Sequence, residues 1–381
     1  MAPSSSTSTT GVMSQHEVKA NPKVPDCVML AFERYQLGCL HEELAGPEPR
    51  QLQALDIILD ICRVEPKAQE GLRQGLLDVL IHIIRNAPSP MLLSKTVEAF
   101  LLLSRFANAR AKLVADLSKL ERLREALQTS TEENKMRCLE LVRNLTQYPR
   151  GADALVKAGF WTWLTGELSS GAKPSTLRQQ IFRALYAIKI ECNLDPSNTA
   201  TSKSLIKLML SNDLFLELGP GYAFSVLEFC IAVARNHDDK EEFVTNDGIP
   251  HVYKTFCDSG NLSVTAREGE RIQCIAAALQ FLGTLTISVT GKKQVVERLG
   301  AHAFVAFLVK VLDVESGKLE RTLTQMMLEV CEHPEMRKAM RTSAQLVDKL
   351  RSSEKRADEF AKKILHKLLD NIHWEPGKLQ P

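Results

Sequence analysis

The sequence predicts an all-α fold, a right-handed superhelical solenoid of about eight helical repeats. Three observations carry the prediction. A break residue, usually glycine, recurs at a nearly constant interval along the chain. An apolar stripe of helical spacing recurs at the same interval. The composition of the 381 residues is rich in Leu, Ala, Lys and Glu and only 6% aromatic, a balance that favours helix.

The first break is Gly75, with Leu72 before it and Leu76, Val79 and Leu80 after it. In "RAKLVADLSKLERL" Asp116 takes the place of glycine and is followed by Leu117 and Leu120. Gly159 follows Leu155 and precedes Phe160, Trp163 and Leu164. Gly248 follows Val244 and precedes Ile249, Val252 and Tyr253; Gly300 follows Val296 and precedes Ala301, Phe304 and Val305. Most of these points lie roughly 41 to 45 residues apart, counting the 159–248 gap as two units, which is the period of armadillo or HEAT arrays. The longer 248–300 interval contains "DSGNLSVTAREGE", which reads as a loop insertion.

The stripes keep the same register. Ala54, Ile57, Ile58 and Ile61 are followed by Cys138, Leu141, Val142 and Leu145, then by Ile181, Ala184, Leu185 and Ile188, then by Leu227, Cys230, Ile231 and Ala234. Each set has the i, i+3, i+4, i+7 spacing of one helix face. The shift from Ala54 to Cys138 equals the shift from Gly75 to Gly159. In each unit, then, a long helix ends and a polar or proline-containing loop such as "TQYPRG" turns the chain. A short helix follows and breaks at glycine, which tolerates positive φ at a helix terminus. A second helix packs beside the next long one. No unit buries its stripe alone, so neighbours must stack. The array is expected over residues 25–372, with a C-terminal tail at 373–381. Residues 1–24 are Ser/Thr-rich and lack a stripe, so they cannot offset their ordering entropy and are expected to be disordered.

The glycine-centred break in "NLTQYPRGADALVKAGFWTWL" resembles the armadillo-repeat superfamily more than HEAT repeats, and the resemblance covers nearly the whole chain. It implies that the third helix of each unit lines a concave groove and that the protein is a non-enzymatic scaffold for protein–protein interaction. Importin-like and catenin-like members hold extended peptides with a ladder of asparagines on these helices. Here Asn144 fits that place while Asp60 and Ala187 stand at the equivalents, which argues against nuclear-signal binding. "AFERYQLGCLHEEL" followed by "RQLQAL" resembles the opening of armadillo-repeat radial-spoke proteins of motile cilia, implying a structural component of the ciliary axoneme. The alternatives are an armadillo-like Hsp70 nucleotide-exchange cofactor and a cargo adaptor.

The side of each third helix opposite its core stripe is expected to face the groove and a protein partner. That strip comprises Gln53, Asp56 and Asp60, then Arg137, Glu140 and Asn144, then Gln180 and Arg183, then Val226, Phe229 and Val233, and finally Phe281. The groove is thus expected to be acidic or mixed at its N-terminal end and apolar in its centre, unless the 190–220 segment covers that centre. Exposed apolar patches of this kind mark binding surfaces.

Other classes of function find little purchase. A formal charge of +2 is too small to draw the chain to nucleic acid or anionic membrane. The nine cysteines are scattered, odd in number and without a CxxC pair, as in a reduced cytoplasmic protein. No secretory signal is read at the N-terminus, so the sequons at Asn144 and Asn261 are expected to stay unglycosylated. The longest apolar runs, such as "AHAFVAFLVKVL", are too short to span a bilayer. "GTLTISVTGKK" has its glycines too far apart for a phosphate loop, with Lys293 where Ser or Thr would bind magnesium. "HEEL" lacks the second histidine of a zinc-protease helix, and "NHDDKEEF" lacks calcium-loop spacing. Cys331 stands two residues from His333, but closeness in sequence does not establish the hydrogen bond that a nucleophilic pair needs. Trp163 falls on a core stripe; Trp161 and Trp374 could stack on a ligand. The basic run from Arg337 to Lys367 is interleaved with Glu and Asp and reads as a solvated helix face. No cofactor, metal or catalytic group is expected.

Overall fold

The computed structural model describes residues 40, 42–86, 89–169, 175–192, 206–210, 220–257, 268–313 and 317–375. The expected N-terminal tail, most of the 190–220 segment, most of the 258–270 insertion and residues 376–381 lie outside the described residues. Among those described, every regular element is a helix and no strand occurs. The chain divides into two compact units. The first runs from Met1 to Leu168 and includes Ala187–Pro196; the second comprises Ser169–Tyr186 and Ser197–Pro381.

In the first unit the helices recur in a fixed order. A long helix α1 (Glu48–Cys62) is followed by α2 (Glu65–Arg73) and α3 (Leu76–Arg85). The order repeats as α4 (Pro90–Leu103), α5 (Ala107–Ala115) and α6 (Leu117–Gln128), then as α7 (Glu132–Thr146), α8 (Gly151–Lys157) and α9 (Phe160–Ser169). Like packs on like. The long helices α1, α4 and α7 form one row, α2, α5 and α8 a second, and α3 and α6 lie together in a third. Caps start the long helices where the sequence offers them. Ser89 accepts from the Leu92 N–H at 3.2 Å, and Thr131 from the Asn134 N–H at 3.4 Å, each satisfying an amide that the helix leaves orphaned.

The expected stripes are the core. Cys138, Leu141, Val142 and Leu145 are all buried, as are Ile181, Ala184, Leu185 and Ile188. On α1 the stripe is wider than the spacing suggests: Ala54, Ile58 and Ile61 are joined by Leu55, Leu59 and Cys62, while Ile57 is only half-buried.

The breaks follow the predicted places with two corrections. Gly75, Gly159 and Gly300 do adopt positive φ, at 84°, 79° and 80°. Asp116 does not: its backbone is extended at φ −119°. Its carboxylate instead accepts from the Ser118 hydroxyl at 2.7 Å and pairs with Lys119 at 3.1 Å. The Ser118 hydrogen bond, and after it Lys119, hold that carboxyl below its ordinary value. At the fourth break the left-handed residue is Asp247, φ 57°, one position before Gly248. Aspartate is among the few side chains that enter this region readily. Gly248 is needed for a different reason, because a Cβ there would lie 2.7 Å from the Phe243 carbonyl oxygen.

The second unit has the same grammar. Part of α10 (Ser175–Glu191) belongs to it, followed by a helical turn at 206–209, α11 (Pro220–Val233), α12 (His237–Thr245) and α13 (Gly248–Val252), which runs into a π turn, Tyr253–Cys257. Then come α14 (Glu268–Leu285), α15 (Val289–Gln294) with a π turn at Val295–Leu299, and α16 (Ala301–Leu312). Last are α17 (Gly317–Val330), α18 (Pro334–Thr342), α19 (Ala344–Arg356) and α20 (Glu359–His373). The long helices α11, α14, α17 and α20 pack in series, and α16 packs on α19.

Polar contacts between neighbouring helices record the period independently. Lys112 donates to the Leu72 carbonyl and Asn144 to Ser104, each across 40 residues; Arg137 reaches Ser94 across 43 and Arg183 reaches Ser225 across 42. Around the expected insertion the separations lengthen. Thr290 bonds Glu241 across 49 residues and Gln294 bonds the Val244 carbonyl across 50.

Candidate functional site

On the first unit the polar candidates lie on the surface of the long-helix row. Gln53, Asp56 and Glu140 are exposed, while Asp60, Arg137 and Asn144 are half-buried. Most are tied to their neighbours. Asp56 pairs with Lys95, Asp60 with Arg63 at 2.6 Å, and Arg137 with Ser94 at 2.6 Å and Glu133 at 2.8 Å. The Asn144 amide donates to the Ser104 hydroxyl at 2.9 Å, and that hydroxyl donates to the Leu101 carbonyl at 2.6 Å. Asn144 therefore laces α7 to α4. Asn144→Ala is expected to cost about 1 kcal/mol in a urea melt, and markedly less when Ser104 is already alanine. Equal costs in both backgrounds would show the two side chains to be uncoupled. Gln53 and Glu140 are uncommitted among the described residues.

In the second unit Gln180 is half-buried and Arg183 exposed, the latter donating to Ser225 at 3.3 Å. The four apolar candidates are a correction. Val226, Phe229 and Phe281 are 0% exposed and Val233 is 3% exposed, so they are core. Phe229 packs on Phe182 of α10 with ring centroids 5.6 Å apart, and Phe281 on Phe243 of α12 at 5.0 Å. Helix α11 carries apolar residues on both sides, and the expected stripe residues Leu227, Cys230 and Ala234 are buried as well, leaving only a strip with Phe224, Glu228 and Ile231 half-buried. Met209, in the described helical turn at 206–209 of the 190–220 segment, lies with its Sδ 3.5 Å from the Cys230 Sγ. Ile231, by contrast, is only half-buried.

Of the residues weighed for chemistry, His41 lies outside the described residues, and Cys331, Ser288, Lys292 and Glu241 have neighbours that hold them. Cys331 donates to the Leu328 carbonyl at 3.1 Å, and burial pushes its thiol up to about 11. Burial likewise raises Cys62 to about 12 and pushes Cys138 and Cys230 further up. A thiol so raised is a poor nucleophile. Maleimide at pH 8 is expected to leave these four unlabelled in the folded protein and to label them all in urea, read by mass spectrometry. In "GTLTISVTGKK", Ser288 caps α15 by accepting from the Gly291 N–H at 3.0 Å, and Lys292 is buried and paired with Glu332. Of the "NHDDKEEF" carboxylates, Glu241 takes Thr290 at 2.5 Å and Asn236 reaches Asp239 at 3.5 Å. Among the described residues no three His, Cys, Asp or Glu converge as a metal site. Trp161 and Trp163 are buried; Trp163 donates to Glu167 at 3.3 Å, and that carboxylate also holds Lys135 at 3.2 Å. Trp374 stacks under the Arg337 guanidinium at 4.6 Å. No single described helix is long and apolar enough to cross a membrane.

A cleft in the second unit was not foreseen from the sequence. It opens between α17 on one side and α19–α20 on the other, with a volume of about 1110 Å³. Half-buried Leu312, Leu328 and Ile364 form its apolar floor. Phe360 stands on the rim, 76% exposed. Glu320 and Glu329 line the α17 wall; Arg356, Lys363 and Lys367 line the opposite wall. Arg321 and Asp358 meet across it at 3.6 Å. In sequence Phe360 keeps helical spacing with Ile364, Leu368 and Ile372, so it reads as core. The available signal was the basic run around it, three of whose members face this cleft.

Among protein families and curated proteins nothing matches this sequence. Among solved structures it is similar to an engineered protein at 15% identity, covering 94% of this chain and 91% of that one with a TM-score of 0.70. A second engineered protein matches at 17% identity over 66% of this chain and 96% of that one, with a TM-score of 0.53. At these identities the likeness is one of fold.

Proposed function

We propose that the chain is an armadillo-like right-handed solenoid of about eight helical repeats that acts as a non-enzymatic scaffold, holding a protein partner on its long-helix row. One observation carries the reading. Within each unit, helices of the same place in the repeat pack on one another, tied by polar contacts across about one repeat length. Stacked repeats of this kind present extended surfaces on which each helix contributes a few side chains. In keeping with that role, Gln53 and Glu140 are exposed and uncommitted among the described residues, and the Cys331 thiol, the one weighed beside His333, is buried and raised.

The test is a comparison of two charge-reversed proteins. Asp60→Lys with Glu140→Lys alters the long-helix row; Glu121→Lys with Arg122→Glu alters exposed positions on α6 in another row. Affinity purification with quantitative mass spectrometry is expected to lose its specific partners with the first pair only. Equal partner recovery from both would sink the assignment of this face.

A further inference from the structure

We propose that the cleft between α17 and α20 is a docking site for an amphipathic helix of another protein, apolar on the face it buries, acidic along the flank toward α20 and basic along the flank toward α17. The inference rests on the scaffold reading and names the chemistry of one partner.

Three features of the cleft select this occupant. Its volume of about 1110 Å³ is at the upper end of the ~300–1,000 Å³ scale of small-molecule pockets, room for several side chains of one helix face. Its lining runs from Glu320 to Glu329 on α17 and from Phe360 to Lys367 on α20. At ~1.5 Å per residue those spans are roughly 13 and 10 Å, which matches the roughly 10 Å between positions i and i+7 of a docked helix. The floor is apolar, and the exposed Phe360 ring on its rim supplies an aromatic anchor of the type that dominates binding energies.

The charges settle orientation. Arg321 on the α17 side and Asp358 on the other pair with each other across the cleft mouth at 3.6 Å, both exposed, and so cancel. The remaining lining charges, Glu320 and Glu329 on one wall and Arg356, Lys363 and Lys367 on the other, make no ion pair among the described residues. This contrasts with the first unit, where Asp56, Asp60 and Arg137 are already paired. Walls of opposite sign admit a helix with carboxylates toward α20 and cations toward α17 and disfavour the reverse, which places like charges together.

The experiment is a selection of displayed 16-residue helical peptides against the full-length protein. The enriched peptides are expected to carry apolar residues at i, i+3, i+4 and i+7 with Asp or Glu along one flank. Fluorescence anisotropy on a labelled winner should show binding weakened at least about tenfold by Phe360→Glu. The Lys363→Glu/Lys367→Glu protein should weaken it similarly, and repeated selection on that protein should yield peptides with Lys or Arg on the same flank. Both variants change exposed positions, so unchanged thermal melts are expected alongside. Peptides that bind wild type and both variants equally would overturn the cleft while leaving a scaffold with another surface. No enrichment at all would overturn the cleft and count against the scaffold reading. Self-association of the protein abolished by Phe360→Glu, without peptide enrichment, would instead make the cleft an interface between copies.

Discussion

Phe229→Asp is expected to unfold the second unit, with a loss above about 4 kcal/mol, because it places an unpaired carboxylate where no water reaches. Phe229 is 0% exposed and packed against the tilted ring of Phe182. Phe229→Ala keeps the site apolar and is expected to cost about 3–5 kcal/mol through lost transfer energy and the cavity left behind. Arg183→Asp, on the exposed side of neighbouring α10, should move the melt little even though it gives up the Ser225 contact. Ile231→Asp is the informative fourth protein. Its side chain is half-buried, so it should be hurt less than Phe229→Asp. Urea midpoints read by circular dichroism rank the four. If Ile231→Asp proved the more damaging, the stripe of Leu227, Cys230, Ile231 and Ala234 would be the more tightly packed side of α11, against the half-buried place of Ile231.

That helix shows where sequence reasoning stops. Periodicity assigns a face only when the other face is polar. On α7 the stripe Cys138, Leu141, Val142 and Leu145 alternates with Glu140, Arg143 and Asn144, and the stripe is buried as expected. On α11 both faces are apolar and both are buried. Leu227, Cys230 and Ala234 of the expected stripe are buried, with Met209 against Cys230, and so are Val226, Phe229 and Val233, with Phe182 against Phe229. These two partners arrive from elsewhere in the chain. The repeat itself was readable because glycine breaks and stripes are local signals. Which residue carries the left-handed turn was less so: Asp247 rather than Gly248 does, since loop geometry sets φ and aspartate tolerates it. Of the polar residues of the expected strip, Gln53, Asp56, Glu140 and Arg183 are exposed and Asp60, Arg137, Asn144 and Gln180 half-buried, as polar side chains seldom bury fully. The cleft was unreadable, as it depends on how far α20 stands from α17 and not on either helix alone.

The second large effect is expected at Gly151, where the helix row turns back into its next short helix. A Cβ there would lie 1.9 Å from the Leu145 carbonyl oxygen, a backbone atom that no side-chain rotation can move away. Gly291 repeats the arrangement, with its Cβ position 2.1 Å from the Leu285 carbonyl oxygen. In both joints the glycine follows the leucine by six residues and both glycines are buried, so close backbone approach is a demand of the turn and not an accident of one loop. Alanine at either position must push α8 or α15 away from the helix before it, opening contacts along the short-helix row, for which about 2–4 kcal/mol is a reasonable scale. Gly166 provides the contrast within one helix length. It is exposed on α9 and a Cβ there meets nothing within 4 Å. Gly166→Ala is therefore expected to gain about 0.5–1 kcal/mol through helix propensity. Chemical denaturation of the three single variants decides the matter by sign. Stabilisation at Gly166 with destabilisation at Gly151 and Gly291 follows from the geometry of the joints; stabilisation by alanine at all three would mean that these turns are looser than the carbonyl contacts require.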